Sequence, residues 1–152
     1  MSDDGRPAGD DTLGGLVGYH LRRAQLRAFA AFAAAVRDDA LTPMLFGVMA
    51  VIRDRGDLHQ SDIAAALGAD RSTMVRLVDQ LQKRGLAVRV TSSSDRRVSV
   101  PRLTERGVEL LERAAPAIAA SEEEFLGSLT SSERATLIAL LRRTYADTLG
   151  GA

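Results

Sequence analysis

The sequence predicts a mainly α fold with one short β-hairpin, an α+β chain, and three observations predict it. Apolar residues recur at three- and four-residue spacing over most of the 152 residues, which marks amphipathic helices. After Gly85 the period drops to two, as in a half-buried pair of strands. Just before that change, two short helical patterns follow one another across a tight glycine-containing turn.

Each element has its own signal. Residues 1–11 are acidic and Gly-rich and are expected to be disordered. From Leu13 to about Val36, Leu13, Leu16, Val17, Leu21, Phe29, Phe32 and Val36 define a long, Ala-rich amphipathic helix. Thr42-Pro43 opens the next helix, because Thr caps free amides and Pro at the first helical position costs no hydrogen bond. Its stripe is Leu45, Val48, Met49 and Ile52, and Arg55-Gly56 ends it. Ser61 to Leu67 turns Ile63, Ala64 and Leu67 inward and stops at Gly68. Asp70 caps a helix from Arg71 to Lys83 or Arg84, with Met74, Leu77, Val78 and Leu81 inward. Leu86, Val88 and Val90 then alternate with Ala87 and Arg89, and Val98, Val100 and Arg102 with Ser99 and Pro101. Pro101 cannot donate to a ladder, so its part of the strand should face an edge. A hairpin directly after a helix-turn-helix is the wing of a winged helix. Thr104-Glu105 opens a helix that Pro116 should bend or break. Thr130-Ser131-Ser132-Glu133 is a capping box for a last helix carrying Leu137, Ile138, Leu140, Leu141 and Tyr145.

The terminal helices are too apolar for isolated surface helices, and their expected use is a core shared between two subunits. A monomeric helical bundle is the alternative. The expected organisation is a dimerisation region at 12–40 and 104–150 around a winged helix-turn-helix lobe at 41–103.

Composition removes several kinds of chemistry. There is no cysteine, hence no disulfide, zinc ribbon or thiol catalysis. With only His20 and His59, no histidine-rich metal site is expected, and no cofactor. No apolar run is long enough for a membrane span and no signal peptide is evident, so a cytoplasmic protein without a membrane partner is expected. No nucleophile elbow, phosphate loop or paired-carboxylate signature points to an enzyme.

The net charge is zero, yet from Arg71 to Arg97 seven basic residues face two acids, a local net of +5. The first twelve residues hold four acids and one Arg, a net of −3. A basic middle between acidic ends suits double-stranded DNA. The second helix of the pair should lie in the major groove. There Ser72 and Thr73 can bond bases or phosphates, and Arg71 and Arg76 can each grip a guanine or hold a phosphate. Arg76 is favoured for the base and Arg71 for the backbone, with both assignments open. Gln60 either reaches a phosphate or is simply an exposed helix start. At the wing tip, a weakly hydrated guanidinium suits a narrow minor groove, and Asp95 is expected to brace Arg97.

The segments Leu41-Thr-Pro-Met-Leu-Phe, Gln60-Ser-Asp-Ile-Ala, Leu67-Gly-Ala-Asp-Arg-Ser-Thr-Met-Val-Arg-Leu-Val-Asp-Gln-Leu, Arg84-Gly-Leu-Ala, Asp95-Arg-Arg and Leu103-Thr-Glu-Arg-Gly resemble the MarR family of bacterial regulators. The resemblance covers about residues 13–149. It implies a triangular homodimer joined through the first and last helices, binding a pseudopalindromic (inverted-repeat) operator and commonly repressing transcription. It also implies that Arg97 enters the minor groove while Arg96 serves a phosphate or an ion pair. A small aromatic or phenolic effector would bind between the first helix, the fifth helix and the DNA-binding lobe, with Tyr19, His20, Arg23 and Phe46 as candidate lining. One departure stands out. Where the family begins the first helix of the pair with Thr-Gln-x-Glu, this chain has His59-Gln60-Ser61-Asp62, which predicts a weaker cap that Ser61 or Asp62 can compensate. The missing cysteine excludes the peroxide-sensing branch, and the lack of Trp and scarcity of His fit the urate- and zinc-responsive branches poorly. A winged helix that binds only protein is the rival reading, but it need not keep a basic helix and wing.

Overall fold

The structure, a computed structural model, describes residues 12–36 and 40–146. The expectation of disorder at 1–11 concerns residues outside these ranges. The elements in chain order are α1 (Val17–Ala35), α2 (Pro43–Arg55), α3 (Gln60–Leu67), α4 (Arg71–Lys83), β1 (Ala87–Thr91), β2 (Ser99–Leu103), α5 (Glu105–Phe125) and α6 (Ser131–Tyr145). β1 and β2 form a two-stranded antiparallel sheet with Ala87 opposite Leu103 and Thr91 opposite Ser99.

The expected caps form. Thr42 Oγ1 accepts from the Leu45 amide at 3.2 Å, and Pro43 holds the first helical position of α2. Gly68 takes φ 62°, a left-handed conformation that lets the chain turn within the three residues between α3 and α4. At α6 the box closes both ways, Glu133 amide to Thr130 Oγ1 at 3.3 Å and Thr130 amide to Glu133 at 2.7 Å. At α3 the departure from the family pattern is partly made good, since Asp62 accepts from the His59 amide at 3.2 Å.

One core runs through the molecule. α2 supplies Leu45, Val48, Met49 and Ile52, all dry. Against them pack Ile63 and Ala64 of α3, Met74, Leu77, Val78 and Leu81 of α4, Leu110, Leu111 and Ala114 of α5, and Phe32 of α1. At roughly 1.5–3 kcal/mol for each large apolar side chain removed from water, this stripe sets the position of α4. α1 and α5 pack along each other. α6 has no buried residue in the protomer, and Ile138 and Leu140 are 50% and 51% exposed. The N-terminal half of α1 is as bare, with Leu16, Val17 and Leu21 in the open.

Three expectations are corrected. α1 begins at Val17, because Leu13 lies in a turn before it. Burial in the wing does not alternate as the sequence suggested: Leu86, Ala87, Val100 and Pro101 are buried and Val88 is 45% exposed. The consecutive residues Val100 and Pro101 bury both faces of β2 at that point, while β1 buries only Ala87. Pro101 still fits the edge rule, since among the described residues β2 pairs only with β1. Finally, of the bend or break expected at Pro116, the break does not occur: α5, packed on α1 and α2, runs continuously from Glu105 to Phe125 although the ring removes one backbone donor.

The Arg106-Gly107 pair in the first turn of α5 has a steric reason. Gly107 is buried where α5 crosses the start of the wing, and a Cβ there would sit 2.0 Å from the Leu86 carbonyl oxygen. The same oxygen accepts from the Thr104 amide at 3.0 Å, so it cannot easily retreat. Gly107→Ala should therefore cost about 1–3 kcal/mol or more, read as a lowered urea midpoint. An unchanged midpoint would mean that α5 does not approach the wing this closely.

Candidate nucleic-acid interface

α4 is buried on one side only. Met74, Leu77, Val78 and Leu81 face the core, while Arg71, Ser72, Val75 and Arg76 are exposed. The side chains of Arg71, Arg76, Arg96 and Arg97 make no ion pair or hydrogen bond among the described residues. The chain's other arginines include several already occupied. Arg84 donates to the Ala40 carbonyl at 3.1 Å. Arg89 donates to Gln82 at 3.1 Å and lies 3.6 Å from Asp79. Arg134 pairs with Glu123 and donates to the Leu129 and Leu126 carbonyls, joining α6 to the end of α5. The guanidiniums on the outer face of α4 and at the wing tip are among those left unoccupied, as are those of Arg55, Arg106 and Arg113 elsewhere, and each has five donors to offer an anion.

The start of α4 is tightly organised. Asp70 accepts from the Thr73 amide at 2.8 Å, from Ser72 Oγ at 2.6 Å and from Thr73 Oγ1 at 2.7 Å. Bonds from Ser72, then from Thr73, hold its carboxyl well below the usual carboxylate range. Both hydroxyl protons are thereby committed to Asp70, and the two oxygens remain as acceptors. That narrows the sequence reading: amino groups on bases, rather than phosphates, suit Ser72 and Thr73. Gln60 is also more constrained than expected. Its Nε2 is buried without a hydrogen-bond partner, turned inward instead of toward an approaching phosphate.

At the wing tip, Asp95 braces Arg97 through the backbone: Asp95 Oδ1 accepts from the Arg97 amide at 2.9 Å. The guanidinium is left exposed. The hairpin is tied down from elsewhere by Asp57, in the turn after α2. Its Oδ2 accepts from the Ser93 amide at 2.8 Å, from Ser92 Oγ at 3.0 Å and from Ser93 Oγ, and Arg102 stands 3.8 Å from Oδ1. The Ser93 hydroxyl first, with Ser92 and the Ser93 amide behind it, lowers the Asp57 carboxyl below its usual range. Sequence reasoning missed Asp57, because a contact across 36 positions leaves no local pattern. It also missed Val75, which a strict inside/outside reading of α4 would have shown as an apolar residue on the polar face.

The proposed effector residues are not brought together. Tyr19, His20 and Arg23 cluster near the start of α1: the Tyr19 and His20 rings meet edge-on at 5.4 Å, and Arg23 donates to the Tyr19 hydroxyl at 3.1 Å. Phe46 instead meets Phe32 edge-on at 6.1 Å, over the core. Thirteen residues separate Tyr19 from Phe32 along α1, about 20 Å of helix. A cavity of about 190 Å³ does lie between α1, the start of α2 and α5, walled by Phe29, Phe32, Pro43, Ile118 and Phe125. Arg27 lies over the Phe125 ring at 5.8 Å. Among the described residues no group of three His, Cys, Asp or Glu could hold a metal ion, and no helix is long and apolar enough to cross a membrane.

Helix-turn-helix, wing and unoccupied arginines define a DNA-binding transcription regulator of the winged-helix class. The sequence pattern of the MarR family matches residues 41–98. A putative transcriptional regulatory protein for the hcr operon of Thauera aromatica is 40% identical over 149 residues, covering 93% of this chain and 90% of its own. The transcriptional repressor CouR, solved on a 23-mer DNA duplex, is 37% identical with a TM-score of 0.78, over 87% of this chain and 94% of CouR. Bordetella bronchiseptica BpsR, whose DNA binding is regulated by 6-hydroxynicotinic acid, is 30% identical with a TM-score of 0.81, over 90% of this chain and 97% of BpsR. The chain belongs to the MarR family.

The cap at Asp70 carries a pH signature. A carboxyl with a lower pKa folded than unfolded stabilises the fold above its unfolded value, near 4, and loses that contribution as the pH falls. The melting-temperature gap between the protein and Asp70→Ala should be full at neutral pH and narrow below about pH 4. A gap of constant size down to about pH 3 would contradict a charged cap.

Proposed function

We propose that the chain is a homodimeric repressor that binds an inverted-repeat operator and leaves it when a small aromatic or phenolic molecule binds. The observation that carries this reading is the pair of unoccupied arginine sets, Arg71 and Arg76 on α4 and Arg96 and Arg97 on the wing. In it, residues 41–103 form the DNA-binding lobe, and 12–40 with 104–150 form the dimerisation region. α4 lies in the major groove, with Arg71 and Arg76 on guanine or phosphate and the Ser72 and Thr73 oxygens on base amino groups. Val75 offers its methyls to a thymine methyl. Arg97 enters the minor groove, Asp95 shapes the turn that aims it, and Arg96 meets a phosphate. Gln60 acts in this reading from within the interface, supporting the α3 start. The bare faces of α6 and the start of α1 support the dimer, since exposed apolar helices of this extent need a partner.

The effector is placed in the aromatic cavity between α1, α2 and α5, with Tyr19, His20 and Arg23 as a second polar group that the partner subunit would complete. A ligand there acts only through its differential affinity for the two spacings of the lobes. The protein is read as cytoplasmic and as non-catalytic, in keeping with a family of transcription regulators.

The direct test mixes the protein with fragmented DNA of its source genome at two salt concentrations and sequences what is retained. An inverted repeat, held less tightly at the higher salt, is the expected outcome. Retention without a motif, or none at all, would contradict it. Two variants sharpen the test. Arg97→Ala should weaken operator binding about tenfold or more while leaving dimer and melting temperature nearly unchanged; an equal loss of folding would overturn the wing role. Leu137→Glu with Leu141→Glu should give a monomer in sedimentation that no longer binds the repeat; a dimer with normal binding would refute the α6 interface.

A further inference from the structure

We propose that Asp57 is a positioning residue for DNA binding: it clamps the wing to the end of α2 and so sets where the Arg97 guanidinium stands. This rests on the DNA-binding reading of the wing. The loop between β1 and β2 runs over residues 92–98, all but Val98 polar, and the strands it joins are only five residues each. Left to itself such a loop samples many conformations, and fixing it costs backbone entropy at every residue. Here a chain of hydrogen bonds fixes it. Asp57 receives the Ser93 amide and both serine hydroxyls. Ser92 is 3% exposed, and its single proton is committed to Asp57, so its oxygen is left to accept. It takes the Ser94 amide at 3.2 Å and the Asp95 amide at 3.4 Å. Asp95 in turn holds the Arg97 amide at 2.9 Å, and its carbonyl accepts from the Val98 amide at 3.0 Å. Asp57 is thus bound through three links to the backbone of the residue that must enter the groove.

The other Asp57 oxygen fits the same role. Oδ1 is buried without a hydrogen-bond partner and faces Arg102 of β2 at 3.8 Å. The carboxylate therefore spans both sides of the hairpin, with serines on one strand's end and an arginine on the other. A buried oxygen held this way costs free energy, and positioning is the return that a charge-repelling acid beside DNA would otherwise lack.

The two explanations for Asp57 predict opposite signs. As mere surface charge near DNA, its removal should strengthen binding, because a negative group opposes the phosphates. As a clamp, its removal should weaken binding, because the wing must then be ordered at the moment of contact. Asp57→Ala and Asp57→Asn are made in the full chain and titrated with the inverted-repeat duplex that the genomic selection recovers. Asp57→Ala should lose about tenfold in affinity, with Asp57→Asn between it and the parent. In the Asp57→Ala background, Arg97→Ala should cost less than about twofold further, whereas Arg71→Ala should keep its full effect. Tighter or unchanged binding by Asp57→Ala, or an undiminished Arg97→Ala effect in that background, would overturn the proposal. Amide hydrogen exchange reads the clamp without DNA, so its failure is separable from a failure of the operator reading. In Asp57→Ala the Ser93, Asp95 and Arg97 amides should exchange faster while those of α4 stay protected. Unchanged wing exchange, or α4 losing protection equally, would also overturn it.

Discussion

Every group proposed to meet DNA hangs on α2, which meets none itself. Its four inward side chains, Leu45, Val48, Met49 and Ile52, are dry, and α3, α4, α5 and β2 all pack on that helix. Burial of this stripe costs no polar group its partner, so the apolar gain is nearly undiluted. What it achieves is orientation. Once Met74, Leu77, Val78 and Leu81 are pressed onto α2, the opposite side of α4 can only face solvent. The turn after α2 then supplies Asp57 to the wing. One helix thereby fixes both reading elements, one by packing and the other by hydrogen bonds.

Electrostatics follow from which arginines the fold uses up. A chain of zero net charge can bind a polyanion if its structural cations are paired and its functional ones are left bare. Arg134 ties α6 to α5, Arg84 holds the backbone before α2, and Arg89 ties the wing to α4. Arg71, Arg76, Arg96 and Arg97 are held by no such pairing among the described residues. The acidic groups near them are occupied as well, Asp70 by its cap and Asp95 by the Arg97 amide. Carboxylates that might have masked the basic face are engaged in shaping it.

Much of this was legible in the sequence because it is local. Caps at Thr42, Asp70 and Thr130, the stop at Gly68 and the change of period after Gly85 each act within a few residues, and each forms as read. What was not legible depends on distant packing. The alternation of Val88 and Val90 suggested two buried residues, but burial falls mainly on β2, at Val100 and Pro101, and Val88 is left outside. Pro116 carries a local penalty that contacts with α1 and α2 override. The serines of the wing looked like plain polar loop until Asp57 was found against them. At the cleft where the resemblance placed an effector, the aromatic residues are Phe29, Phe32 and Phe125, while the more conspicuous Tyr19 and His20 lie elsewhere on α1.

The central claim is that two copies of this lobe, held by the terminal helices, read two half-sites on one face of the duplex. The most direct measurement compares fluorescence anisotropy titrations of the selected inverted repeat with the same duplex carrying about five extra base pairs between its halves, half a helical turn. The account predicts that the insertion abolishes specific binding and leaves only salt-sensitive, sequence-independent affinity. Equal affinity for the two duplexes would contradict it, because the lobes would then be reading DNA independently of one another.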